Sequence, residues 1–192
     1  MSATAPRRAP AREVRIIGGT WKRSKLPVAD APGLRPTPDR VRETLFNWLG
    51  QDLSGWRCVD LFSGSGALGF EAASRGADEV LLIERDRTLA RSLQHSKERL
   101  KATQLRIENT DAIAWLARCA AERFELAFLD PPFDTPLLAP ALAAAVRVVV
   151  PQGFLYVEAA EAVPAPAAAA HGLRMHREGR AGAVHFQLLQ RV

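Results

Sequence analysis

Apolar residues in this chain recur with two alternating periods, and that alternation predicts a parallel α/β sheet. Short apolar runs suited to strands occupy residues 57–62, 79–84, 105–109, 124–129 and 154–158. Between them lie stretches with helical spacing. The first covers 67–75, and the second runs from 86 to about 101 with Leu89, Leu93 and Leu100 facing inward. A third starts at Asp111 and continues through Trp115 and Leu116, and a fourth covers about 137–149. Residues 162–170, rich in Ala and Pro, read as a loose connection with at most a short helix. The chain then predicts a hairpin: 173–178, a turn through Gly179, Arg180, Ala181 and Gly182, and an arm where Val184, Phe186 and Leu188 alternate with His185 and Gln187. The expected architecture is a mostly parallel sheet closed by an antiparallel C-terminal hairpin. No internal repeat interrupts it.

Ahead of the sheet the pattern differs. Residues 1–13 combine Ala, Pro and Arg without an apolar period, which predicts a disordered basic tail. Residues 14–23 alternate around Gly18 and Gly19, as in a small hairpin or bent strand with Arg15, Lys22, Arg23 and Lys25 outside. Trp21 there suits either stacking on a base or anchoring the hairpin to the core. Leu34, Arg35 and Pro36 lead into a helix, for which Thr37 suits the N-cap, Pro38 the first helical position and Asp39 the positive helix end. Val41, Leu45, Trp48 and Leu49 make its inward stripe, leaving Arg40 and Arg42 free to meet a partner.

Composition adds a partner class. Residues 1–50 hold ten Lys or Arg against four Asp or Glu, and the remaining 142 hold sixteen against seventeen. The whole positive excess is therefore N-terminal, and a nearly neutral domain behind a basic arm implies a polyanionic partner. Candidate contacts are Arg15, Trp21, Lys22, Arg23, Arg35 and Arg40. The expected division is a tail at 1–13, a hairpin and helix facing the polyanion at 14–50, and one α/β domain at 51–192. At 192 residues the core needs no disulfide support, and Cys58 and Cys119 read as reduced thiols in the cytoplasm. No apolar run reaches a membrane span, and the start lacks the apolar segment of a signal peptide. His95, His171, His176 and His185 form no ligand cluster, so no metal is assigned.

The candidate chemistry lies at strand ends. Val59 and Asp60 close an apolar run, and Gly64, Gly66 and Gly69 follow with the spacing of a nucleotide-binding turn. Glu84 closes the next run, twenty residues past Gly64, where an acid can accept both hydroxyls of a ribose. Asp60 argues against a dinucleotide, because a carboxylate at the mouth of the loop repels pyrophosphate. It attracts an ammonium, and S-adenosylmethionine carries a ribose, an adenine and an ammonium without phosphate. Asp111 either caps its helix or, with Ala112, holds the adenine. Asp130 ends the fourth run and begins Asp130-Pro131-Pro132-Phe133. Two prolines remove two backbone donors, so the Asp130 carboxylate and Pro131 carbonyl are left to accept the hydrogens of an exocyclic amine, with Phe133 to stack on its base.

These motifs, with Arg15 to Lys22 and Leu34 to Leu49, resemble the bacterial 16S rRNA guanine-N2 methyltransferases, a family of class I S-adenosylmethionine-dependent RNA methyltransferases. The likeness covers residues 14 to about 160 closely, and its most family-specific part is the Arg35-Pro36-Thr37 helix. It implies a Rossmann-like sheet of about seven strands with a small basic N-terminal extension. It also implies a cofactor site at Asp60, Phe62, Gly64, Ser65, Gly66, Gly69, Glu84, Arg85, Asp111 and Ala112, with Asp130, Pro131, Pro132 and Phe133 at the target amine. The implied partner is small-subunit rRNA, free or within an assembling subunit, met by a monomer. Three competing readings are a DNA adenine-N6 methyltransferase, a nicotinamide dehydrogenase and a non-catalytic RNA-binding protein. The first needs room for a recognition domain, the second leaves Asp130 to Phe133 idle, and the third has no use for the acids.

Overall fold

The computed structural model describes residues 12–29, 34 and 36–192. The expected tail lies outside these residues apart from Arg12 and Glu13, as does Arg35. The elements run β1 (Glu13–Arg15), β2 (Lys25–Pro27), α1 (Asp39–Leu49), β3 (Arg57–Asp60), α2 (Ala67–Ser74), β4 (Glu79–Ile83), α3 (Arg87–Leu100) and β5 (Leu105–Glu108). They continue with α4 (Ala112–Arg118), β6 (Phe124–Leu129), α5 (Leu138–Val148), β7 (Val149–Ala159), α6 (Ala165–Ala170), β8 (Leu173–Ala181) and β9 (Val184–Arg191).

Seven strands form one sheet in the order β5-β4-β3-β6-β7-β9-β8. The first five neighbours pair in parallel, and β9 returns antiparallel against β7 and β8. The fold is α/β, as the period changes predict. The strands are apolar on both sides because each sheet face carries its own core. Cys58, Val80, Leu82, Leu126 and Phe128 meet Leu45 and Phe46 of α1 and Phe70 of α2 on one face. Val59, Leu81, Ala127 and Leu129 meet Trp115 of α4 and Leu142 of α5 on the other.

Several boundaries differ from expectation. The C-terminal hairpin pairs Ala181 with Val184, so its turn is Gly182 and Ala183 alone rather than four residues. Trp48 of α1 stacks on Phe186 with ring centroids 5.3 Å apart, which fastens the hairpin to the helix. Thr37 is not the cap of α1. Pro38 holds the cap position without a side-chain bond, and the Thr37 hydroxyl instead donates to Glu158 Oε1 at 2.7 Å. Arg42 is not free. It is fully buried, with its guanidinium 2.6 Å from Asp39 and 3.2 Å from Glu71.

Glu71, on α2 and fully buried, explains both Arg42 and the N-terminal segment. Its carboxylate accepts from the Ile17 and Gly18 amides, each at 2.8 Å, and from Arg75 Nε at 2.8 Å, besides meeting Arg42. A buried carboxylate persists only with its lone pairs filled, and here two cations and two amides fill them. Ser74 completes the clasp, donating to the Gly18 carbonyl and accepting from the Trp21 amide. Gly19 sits so close that a Cβ there would fall 1.7 Å from the Ser74 carbonyl, at a φ of +71° besides, so no other residue fits. The β1–β2 pair thus shares a core with the sheet through Val14, Ile16, Leu26 and Val28.

Candidate active site

Strand order fixes where a ligand can sit. After β3 the chain runs outward to β4 and β5, then returns across β3 to β6 and β7. Connections leave β3 and β6 in opposite directions, which opens a crevice at their carboxyl ends. Successive side chains alternate between sheet faces, so residues two apart share one. Asp60, Glu84, Asp130 and Glu158 continue the parity of Cys58, Leu82, Phe128 and Tyr156, which all face the core beneath α1 and α2. Four carboxylates therefore stand along one edge of one face, in spatial order Glu84, Asp60, Asp130, Glu158.

Asp111 is not in that row. It is exposed and caps α4, accepting from the Ala114 amide at 2.9 Å, with Ala112 buried behind it. Glu158 takes the fourth place instead. Sequence reasoning reached it only as the last residue of a strand, because no loop motif follows it.

The glycine turn is built around these acids. Ser63 donates its hydroxyl to the Asp60 carbonyl at 2.9 Å and accepts the Gly66 amide at 2.6 Å, which tightens the turn. Gly66 begins α2 at a φ of +79°, a left-handed conformation that glycine adopts without strain. Asp60 accepts from the Gly69 amide at 3.2 Å and is 2% exposed. Burial, with the charges of Glu84 and Glu158 adding, pushes its carboxyl up to about 7 against the opposing amides of Gly69 and Phe62. Glu84 accepts from the Gly64 amide at 2.9 Å on one oxygen and the Asp86 amide at 2.8 Å on the other. Each oxygen keeps a second lone pair, enough to receive two hydroxyls. Ser65 is buried in the turn, Arg85 is exposed beyond it, and Phe62 packs toward the opposite core. Leu34, which the sequence marks only as leading into α1, lies over the turn, its Cδ1 2.8 Å from where a Cβ on Gly64 would fall.

Asp130 is half-buried, and among the described residues no donor reaches it. Burial, then the charges of Glu158 and Asp60, holds its carboxyl well above the usual carboxylate range. Pro131 is buried, Pro132 is exposed, and Phe133 is 47% exposed, the one exposed ring among the described Phe, Tyr and Trp side chains. Glu158 is 4% exposed and accepts on Oε1 from Thr37 at 2.7 Å and Tyr156 at 2.9 Å. Its carboxyl is raised by burial, with those hydroxyls and Arg42 opposing. A row of such groups suits a ligand that brings donors and positive charge, and it repels phosphate.

The basic residues are spread differently. Lys22, Arg23 and Arg40 are exposed, while Arg15 is exposed but pairs with Asp39 at 2.8 Å. Trp21 packs half-buried against the core, as the anchoring reading expects. Among the described residues no helix is long and apolar enough to cross a membrane.

Comparison with known proteins agrees with this geometry. The family model described as conserved hypothetical protein 95 matches residues 14–190. The ribosomal RNA small subunit methyltransferase D of Escherichia coli K12 is 43% identical over 185 residues, covering 93% of this chain and 90% of its own. The protein of the same name from Haemophilus influenzae is 38% identical over 183 residues, covering 93% and 94%. A solved Escherichia coli chain, yhhF, provisionally described as a methyltransferase, superposes with a TM-score of 0.80 at 42% identity over 94% of this chain and 98% of that one. The chain belongs to the conserved hypothetical protein 95 family, and its fold is the Rossmann-like class I methyltransferase fold.

Proposed function

We propose that this member of the family is an S-adenosylmethionine-dependent methyltransferase of small-subunit rRNA whose target is the exocyclic N2 amine of a guanine. Asp130 carries the reading. It faces Asp60 across the switch between β3 and β6, receives no donor among the described residues, and is followed by two prolines and an uncovered phenylalanine.

The residues present fit the cofactor. Asp60 offers negative charge to its ammonium, Glu84 keeps two lone pairs for its ribose, and the amides of Gly64 and Gly69 hold Glu84 and Asp60 respectively in place. Bound S-adenosylmethionine supplies a methyl carbon on a sulfonium. An exocyclic amine is a poor nucleophile because its lone pair is delocalised into the ring. Asp130 and the Pro131 carbonyl accept its two hydrogens, and these bonds strengthen as positive charge develops on the nitrogen, which lowers the barrier. Asp130 then takes the proton the amine sheds, a role suited to a carboxyl raised above its usual range. Phe133 supports the base by stacking. The experiment is incubation of the full chain with labelled S-adenosylmethionine and small-subunit rRNA, free and as subunit particles, with nucleoside mass spectrometry. N2-methylguanosine is expected, and N6-methyladenosine or no label overturns the reading.

Cofactor binding should depend on pH through Asp60. An adjacent ammonium favours the carboxylate, so binding expels a proton wherever Asp60 holds one. With the carboxyl at about 7 in the free protein, affinity should rise by up to tenfold per pH unit below that value and level off above it. Calorimetry between pH 5.5 and 8.5 reads the slope, and Asp60→Asn should abolish it.

RNA affinity should depend on the N-terminal loop. Reversing Arg15, Lys22 and Arg23 to Glu leaves Glu71 and its clasp intact, because all three side chains are exposed. Each single-strand phosphate contact contributes about 0.7 to the slope of log affinity against log salt. The triple variant should therefore bind rRNA more weakly with a slope flatter by up to about 2, and unchanged binding at every salt would place the RNA surface elsewhere.

A further inference from the structure

Glu158 has one oxygen committed and one that no described residue reaches. Oε1 receives both the Thr37 and the Tyr156 hydroxyls. Oε2 receives no donor among the described residues, yet no fully buried polar atom there lacks a partner. Glu158 stands at the carboxyl edge of the sheet, on the face and edge where the crevice lies, with that oxygen available to a ligand. The register that pairs Leu129 with Val157 sets Asp130 beside Glu158 on neighbouring parallel strands, on the same face. Two acceptors stand side by side where one amine needs only the first.

We propose that Glu158 is a specificity-determining residue of this site, its Oε2 accepting the N1–H of the target guanine while Asp130 accepts from N2. This rests on the guanine-N2 reading above. Guanine presents N1–H and N2–H₂ side by side on its Watson–Crick edge, two adjacent donor groups for two adjacent carboxylates. Adenine presents its amine beside N1, a bare acceptor, so its lone pair would face a carboxylate lone pair. Such a mismatch leaves a buried charged group unpaired and is rejected more strongly than any difference in shape. Thr37 and Tyr156 fix the carboxylate by one oxygen, and Arg42 lies near enough to favour its charged form. The hydroxyl that holds the selector comes from the segment just before α1.

The test uses 2-aminopurine, which keeps an amine at C2 but has an acceptor at N1. Once the methylated position is mapped, rRNA carrying guanine or 2-aminopurine there is offered to the full-length protein. The wild type should favour guanine in kcat/KM by about 10- to 100-fold. In Glu158→Gln the amide oxygen can still receive both hydroxyls, while its NH₂ replaces Oε2 and donates instead. The ratio should then shrink at least tenfold, by loss on guanine and gain on 2-aminopurine, with the thermal midpoint little changed. An equal wild-type rate on both bases overturns the proposal, and that measurement needs no variant. An unaltered ratio in a folded Glu158→Gln protein also overturns it. If the wild-type product is not N2-methylguanosine, the functional reading fails first and the proposal falls with it. Product identity therefore separates the two failures.

Discussion

Replacing Asp130 with alanine should lower single-turnover methyl transfer by about 100- to 1,000-fold, the scale of losing one preorganised group that stabilises developing charge. The fold should not suffer. Asp130 accepts no bond that holds the chain together, and its neighbours Glu158 and Asp60 are like charges. Removing it relieves repulsion, so the thermal midpoint should stay level or rise. Cofactor affinity should change far less than turnover, because Asp60 and Glu84 remain. Asp130→Asn is the sharper variant, since its amide keeps the shape and one acceptor but cannot take a proton. A folded Asp130→Ala protein with near-normal single-turnover rates would remove Asp130 from the chemistry.

Replacing Glu71 with alanine should have the largest effect on stability, although Glu71 lies outside the row of acids. The change leaves the fully buried Arg42 guanidinium with Asp39 as its one counter-charge among the described residues, and leaves the Ile17 and Gly18 amides without their acceptor. Breaking a buried ion pair from one side costs about 3–5 kcal/mol. For a chain of this size each kcal/mol shifts the thermal midpoint by about 2–4 °C, so a fall of roughly 10 °C is expected. Denaturant titration measures the loss. Arg42→Met combined with Glu71→Ala should recover part of it, because much of the cost is a buried cation that has lost one of its two carboxylates. Equal losses in single and double variants would show that the amides, not the guanidinium, need Glu71.

Legibility in the sequence followed the range of each interaction. Asp60, the glycine turn and Glu84 were readable because strand, turn and helix are consecutive, and each motif fits within twenty or so residues. Arg42 was misread because its helix stripe says only that it points away from Leu45 and Leu49. Its partner Glu71 lies 29 residues on, in a helix with every residue buried, where no polar face marks it out. Thr37 has the chemistry of a cap and the position of one, but a hydroxyl serves one acceptor at a time, and Glu158 competes for it from 121 residues away. Glu158 itself was hidden because parity across β3, β6 and β7 is a property of the sheet order, which no local pattern states. Asp111 shows the converse: a strand-end acid exposed outside the row and used as a cap.

The clasp at Glu71 and Ser74 also bears on the birth of the chain. Ile17, Gly18 and Trp21 find their acceptors and donor more than fifty residues later, and Thr37 finds its own only at Glu158. At a synthesis rate of about 5–20 residues per second, the first strand pair leaves the ribosome seconds before anything can seal it. Val14, Ile16, Leu26 and Val28 spend that interval uncovered, beside a run of cations, next to the cell's densest store of RNA. The strand pair thus waits for α2 to be made, and the segment that leads into α1 waits longer, for β7.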